Sequence, residues 1–403
     1  MQKKIFFFFI CVFFTFGIQA NPVGRPSAPL KRKTICLNMI VKNESHVIEK
    51  GLESVKGLID YWVIVDTGSS DGTQEVIKKF MKGIPGELHE RPWVDFCHNR
   101  NEALALAKNK ADYTFFMDAD ELLVYSDQFF LPHLDKDFYH MVVRQDCAVD
   151  VKRIALVNNS LNWQWHGLLH ECIGCPEARN GGLLTGVINL CDVGEKSGRS
   201  KDVSVHQKYL KDAQVLEKAL KAEPKNSRYR FYLGQSYLAA EKYELAKKNY
   251  EKRIEMESDD VQETYFAIYT LGIIHDKMDN PDLAIKTFFK AYEYRPTRAE
   301  PLFQIATLYR KQGNVLLGYL LSQYALSIPY PVEDVCVEYQ TYDYRLLVEY
   351  ANCALLLGKW QEGFQACMQL LSNPNLPGDI KGRVESNLEL ARANLRHPVP
   401  MMR

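Results

Sequence analysis

Neither sign of charge prevails in this sequence: 50 Lys and Arg face 50 Asp and Glu over 403 residues, a formal net charge of +0. No global field therefore draws the chain to nucleic acid or to an anionic membrane. An apolar run long enough to span a bilayer is also missing. The longest, Ile5 to Ile18, has about 14 residues against the ~20 that a spanning helix needs. The Gly-rich, basic loop with which nucleotidyltransferases grip phosphate is absent around Asn38–Glu44. Strand signals nearly vanish after about residue 206.

What is present points to two domains with appendages, because 403 residues exceed one ordinary core. The 46% hydrophobic and 25% charged content is that of a globular protein. Lys3 and Lys4 precede the short apolar run, and Gln19-Ala20 then meets Asn21-Pro22. Residues 1–20 thus read as a secretory signal peptide or a signal anchor. Residues 21–33, with three prolines and four basic residues, read as a linker. Of the ten cysteines, Cys11 lies in the leader, so a cleaved chain keeps an odd number. Cys172-Ile173-Gly174-Cys175 has no zinc-site spacing to Cys191 and reads as a local disulfide or two ordinary thiols.

From Thr34 to about Val193, short apolar runs alternate with helical stretches. Ile35–Val41, Trp62–Val65 and Tyr113–Met117 have the continuous apolar character of buried parallel strands. His46–Gly57, Gln74–Met81 and Asn101–Asn109 have helical spacing. This order predicts an α/β domain over 34–205 with a mostly parallel sheet. Over 206–395 a repeat replaces it. Leu233-Gly234, Tyr237, Ala246 and Tyr250 recur as Leu271-Gly272, His275, Ala284 and Phe288, and more loosely from Ile305-Ala306 and from Ala351. The spacing is near the ~34 residues of a tetratricopeptide helix pair and predicts an all-α solenoid.

Two strand ends carry chemistry. Val63-Ile64-Val65-Asp66 runs into Thr67-Gly68-Ser69-Ser70-Asp71-Gly72-Thr73. A carboxylate beyond the carboxyl end of a parallel strand stands where open α/β sheets bind ligands, and a Gly-Ser turn lets backbone approach one. Asp71 and Thr73 read as helix-start residues. Phe115-Phe116-Met117 likewise delivers Asp118-Ala119-Asp120-Glu121. Paired carboxylates are hard oxygen ligands for Mg²⁺ or Mn²⁺, which would neutralise a diphosphate leaving group.

With Met39-Ile40-Val41-Lys42-Asn43-Glu44, Arg100-Asn101-Glu102-Ala103 and Met117-Asp118-Ala119-Asp120-Glu121 in order, residues 34–125 resemble the nucleotide-binding half of family 2 glycosyltransferases. The whole chain resembles members that carry tetratricopeptide repeats behind the catalytic domain. The resemblance implies a GT-A-type fold and a nucleotide-sugar donor, with a UDP-sugar favoured. It implies that Asn43 and Glu44 line the nucleotide side, that Asp66 meets the nucleoside, and that Arg100 approaches the phosphates. Asp118 and Asp120 would serve the Mn²⁺ or Mg²⁺ and the diphosphate. The chain has Asp66-Thr67 where many members have two acids, which leaves base selectivity open.

An inverting transfer needs a carboxylate to take the acceptor proton. Trp163-Gln164-Trp165-His166-Gly167-Leu168-Leu169-His170-Glu171 offers Glu171, with tryptophan faces for a sugar ring; Asp146 is the second candidate. His170 or His206 could add a metal ligand. The acceptor is a protein or a glycan, and the repeats either recruit a protein partner or self-associate. Because nucleotide sugars are cytosolic or organellar, the leader suggests an organellar lumen or membrane association over free export. The competing reading is a non-catalytic repeat scaffold with a degenerate sugar-nucleotide module; the intact acids argue against it.

Overall fold

The computed structural model describes residues 32–145, 149–191, 204–256, 260–332 and 336–396. Residues 1–20, where a leader is expected, and Asp146 lie outside the described residues. Among the described residues, no helix is long and apolar enough to cross a membrane.

Four parallel strands come first among the described residues: β1 (Ile35–Val41), β2 (Tyr61–Asp66), β3 (Gly86–Glu90) and β4 (Tyr113–Phe116), in the order β3-β2-β1-β4. Helices α1 (Ile48–Val55), α2 (Thr73–Phe80) and α3 (Phe96–Ala107) connect them. β1 is covered on both faces, which is why its sequence is nearly continuous in apolar residues. Ile35, Leu37 and Met39 enter the main core with Ile48, Leu52, Ile64 and Phe115. On the other face Cys36 packs with Val63 and Ala107, and the Asn38 amide donates to the Ala103 carbonyl at 2.8 Å.

Beyond β4 the sheet stops being parallel. It continues through β7 (Val149–Asn158), β6 (Phe138–Gln145), β10 (Gly181–Cys191) and β5 (Glu121–Tyr125). β7 is antiparallel to both β4 and β6, and β5 is antiparallel to β10. The expected mostly parallel sheet is therefore a mixed one. Strands such as β10 alternate buried and exposed positions, the pattern of a half-covered antiparallel sheet rather than of a buried parallel strand. β8 (Gln164–His166) and β9 (Cys172–Gly174) form a separate small ladder. Cys172 and Cys175 are free thiols, as are all the described cysteines.

The later described residues are mostly helical: α4 (Val205–Ala222), α5 (Ser227–Ala239), α6 (Tyr243–Glu255), α7 (Val261–Lys277), α8 (Pro281–Tyr294), α9 (Glu300–Lys311), α10 (Val315–Ala325), α11 (Leu346–Leu356), α12 (Trp360–Leu371) and α13 (Gly378–Arg396). The repeat has a packing cause. A Cβ on Gly272 would stand 2.6 Å from the Phe288 ring, and one on Gly234 would stand 3.1 Å from the Tyr250 ring. Each glycine thus lets an aromatic of the next helix lie against its own helix. The core passes down the stack in successive clusters, as in a solenoid.

Between α10 and α11 the chain returns to the sheet. β11 (Cys336–Val337) pairs antiparallel with β7 through Val151 and Asp150. Asp150 takes a bidentate ion pair from Arg144, at 2.7 and 3.0 Å. The Tyr330 hydroxyl donates to Asp150 at 3.4 Å, and the Arg144 guanidinium lies 3.9 Å from the Tyr339 ring. Side-chain hydrogen bonds and the Asp150 charge hold Arg144 above its ordinary pKa, against the opposing effect of burial.

Candidate functional site

Asp66 closes β2 in register with Val41 of β1 and is fully buried. Its Oδ1 accepts the Gly68 and Ser69 amides, each at 2.7 Å. Gly68 has φ +106°, a conformation that a side chain rarely tolerates. The second oxygen, Oδ2, is buried and has no hydrogen-bond partner. A buried acceptor in that condition is costly unless something else meets it.

The ends of β1 and β2 are tied together around this acid. The Asn43 amide donates to Ser69 Oγ, and Asn43 Oδ1 accepts the Ser70 amide, both at 2.9 Å. The Glu44 amide donates to Thr73 Oγ1, while its carbonyl starts α1 by accepting the Val47 and Ile48 amides. Asp71 accepts from the amide and hydroxyl of both Ser45 and Thr73. Burial pushes the Asp71 carboxyl up, but those four hydrogen bonds outweigh it and hold it at about 2. Asp71 therefore fastens the turn by joining Ser45 to Thr73, whereas the expected helix-start position is taken by Gly72, with no side-chain cap.

Asp118 lies just past β4, and Arg100 of α3 reaches it at 2.7 Å. Arg100 also stands 3.7 Å from Glu171 and lies over the Trp165 ring at 5.1 Å. Arg153 of β7 approaches the other Asp118 oxygen at 3.7 Å and donates to Glu121 at 2.7 Å. Three carboxylates and two guanidiniums thus alternate: Glu171, Arg100, Asp118, Arg153, Glu121. Burial would lower both arginine pKa values, but the neighbouring acids overcome it and raise them. Burial would raise Asp118, but the two arginines keep it below its usual range. Glu121 is the hub of the turn. It is 3% exposed, and its Oε2 accepts from the Asp118 amide, Arg153 and Asn189 at 3.0, 2.7 and 2.6 Å.

The Trp163–Glu171 segment meets this network from the far side. Asn101 clamps the Trp165 backbone, donating to its carbonyl at 3.0 Å and accepting its amide at 2.9 Å. Trp163 and Trp165 are core residues packed with Phe116 and Val157, so they do not offer open faces to a sugar. Glu171 does reach the site, across Arg100 from Asp118. His170 is stacked on Tyr232, and His206 is exposed in the first turn of α4. Among the described residues no three His, Cys, Asp or Glu gather in a metal-holding group.

Arg153, Glu121 and Asn101 carry as much of the geometry as Asp118; Glu121 and Asn101 stand inside the quoted motifs without a role of their own, and Arg153 stands in none. The one signal for Arg153 was a charged pair, Lys152-Arg153, which with Asp150 interrupts the apolar residues of β7. As a donor set, Asp118 and Asp120 fit a hard cation only in part, because Asp118 already faces two guanidiniums. They fit an ion that brings phosphate oxygens with it, the usual way Mg²⁺ binds with few carboxylates.

Parts of the chain are similar to known proteins. Residues 36–145 match the family described as Glycosyl transferase family 2. Over 229 residues the chain is 25% identical to the SPbeta prophage-derived glycosyltransferase SunS of Bacillus subtilis (strain 168), covering 53% of this chain and 51% of SunS. The chain thus spans about half the length of that relative. It is 32% identical over 110 residues to the lipopolysaccharide core biosynthesis glycosyltransferase LpsC of Rhizobium meliloti (strain 1021), covering 27% of this chain and 38% of LpsC. The solved structure of MamA protein overlays 49% of this chain and 94% of its own, at a TM-score of 0.31 and 14% identity, too distant to argue from.

Proposed function

We propose that this chain, whose residues 36–145 match the Glycosyl transferase family 2 model, transfers a sugar from a nucleotide sugar to a protein or glycan acceptor. The observation that carries the reading is Asp66 Oδ2, buried and without a partner at the carboxyl end of β2. It wants a hydrogen-bond donor of the kind a nucleoside base or ribose supplies. β4 lies two strands away from β2, so Asp118 stands roughly 10 Å across the sheet edge at ~4.8 Å per strand. That spacing supports a reading in which the acid–guanidinium network meets the diphosphate end of such a ligand. A UDP-sugar is the favoured donor.

Arg100 and Arg153 are the chain's own cations beside the leaving diphosphate, with their charge fixed before the donor arrives. Asp120, with Asp118, would hold a Mn²⁺ or Mg²⁺ bound together with the donor, supplying further neutralisation of the diphosphate. In an inverting transfer the acceptor hydroxyl oxygen attacks the anomeric carbon. The bond to the diphosphate oxygen breaks, and the proton passes to Glu171. The leader supports a site of action in an organellar lumen or at a membrane.

The test is a hydrolysis and calorimetry screen across UDP-, GDP- and dTDP-sugars, with and without Mn²⁺. Asp66→Ala should weaken nucleotide binding about 10- to 100-fold, the scale of a hydrogen bond to a charged group. Asp120→Ala should abolish turnover in a folded protein. Failure of the wild type to bind or turn over any donor would favour the scaffold reading instead. Wild-type turnover by Asp120→Ala would remove the metal role alone.

A further inference from the structure

The Trp163–Glu171 segment rests partly on the helical repeats rather than on the sheet. Leu169 is buried in the first helical core with Ala213, Leu216 and Tyr229. The His170 ring lies flat on Tyr232 of α5, with centroids 4.0 Å apart and planes 7° apart. Its carbonyl accepts from Arg228 Nη2 of the same helix at 2.9 Å. The other terminal nitrogen of Arg228 is held by Glu263 of α7 at 2.8 Å, and the guanidinium lies 4.9 Å from the Tyr232 ring. His170 has φ +54°, a left-handed conformation uncommon for a residue with a side chain. Such backbone persists where its surroundings over-determine it. Here a ring stack and a guanidinium bond do so, and both come from the repeats.

Glu171 is the next residue. The peptide that α5 grips therefore sets the direction in which the Glu171 carboxylate leaves the chain toward Arg100. From this juxtaposition we infer that the first helical repeat positions the acid of the transfer step. Tyr232 and Arg228 are positioning residues that act through His170 on Glu171. The inference rests on the role given to Glu171 above. It assigns the repeats a part in the chemistry that is separate from any acceptor or partner they bind. If the stack is lost, His170 relaxes and the Glu171 carboxylate drifts from Arg100. The Asp66 turn is fastened by its own neighbours and does not move.

The experiment uses the full chain and the most rapidly hydrolysed member of the donor panel. Tyr232→Leu should lower kcat about tenfold or more, as expected when a reacting group is misplaced, with the donor KM and the calorimetric nucleotide affinity unchanged. Tyr232→Phe, which keeps the ring, should restore kcat. In a Glu171→Gln background Tyr232→Leu should cost nothing further, because the two changes act on one group. His170→Gly tolerates the backbone angle but lacks the ring, and should repeat the Tyr232→Leu loss; it serves where the latter does not fold. Wild-type kcat in the folded stack variants, or an undiminished loss in the Glu171→Gln background, would overturn the inference. So would a wild-type rate for Glu171→Gln, which leaves the glycosyltransferase reading standing. A wild-type chain that neither binds nor hydrolyses any donor would sink both.

Discussion

Asp66 is held by the peptide groups of residues two and three positions further on, whereas Asp118 and Glu121 are held by side chains 18, 32 and 68 positions away. One acid is fixed by a turn that forms with its own strand. The others are fixed by two guanidiniums and the Asn189 amide, which arrive only when α3, β7 and β10 have assembled around them. The lesson is one of dependence. A locally wired carboxylate survives changes elsewhere, while each member of a buried charge chain is exposed to the loss of any other.

The largest expected effect strikes the long-range side. Glu121→Ala leaves Arg153, Asn189 and the Asp118 amide without their shared acceptor. Removing one partner of a buried ion pair costs about 3–5 kcal/mol, to be read as a drop in urea-unfolding stability. A loss below ~1 kcal/mol would mean that the network is loosely held and that the contrast with Asp66 is overdrawn. A smaller effect is expected from the repeats. Gly272→Ala drives a methyl into the Phe288 ring and should cost about 1–3 kcal/mol. Gly234→Ala should cost less, because its ring stands 0.5 Å further off (3.1 against 2.6 Å). Neither should alter nucleotide affinity in calorimetry; a change would show that the locally wired side is not insulated from the solenoid.

The smallest effect belongs to the local side. Asp71 sits at about 2 in the folded chain against an ordinary 3.8. Its folded value is lowered, so it contributes stability above about pH 4, and that contribution fades as pH falls toward 2. Because Asp71 is exposed, the contribution should be under about 1 kcal/mol. In thermal unfolding, the gap between wild type and Asp71→Asn should narrow from pH 5 to pH 2. A gap that widens on acidification would contradict the hydrogen-bond assignment.

The same division explains what could be read from the sequence. β1 is found over Ile35–Val41 as its apolar run predicts, because both of its faces are buried. The Asp66 turn was legible because its partners lie within a few residues. α3 begins at Phe96 rather than Asn101, since Asp95 caps it by accepting the His98 amide and the apolar spacing starts only later. Arg153 was not legible, because nothing within β7 says that it will face Glu121 and Asp118 across the sheet. The burial of Trp163 and Trp165 was hidden for the same reason: their pocket is made by Phe116 and by Leu104 of α3.

β11 occupies the edge of β7 opposite β6, the edge that β4 uses further along. An uncovered strand edge offers its amides and carbonyls to any passing chain. By lending two residues to that edge, the helical half shields the sheet from unwanted association. The two halves of this polypeptide are therefore poor candidates for separation: a version ending before the helices would expose a sticky margin close to Arg153, and its solubility would suffer alongside its geometry.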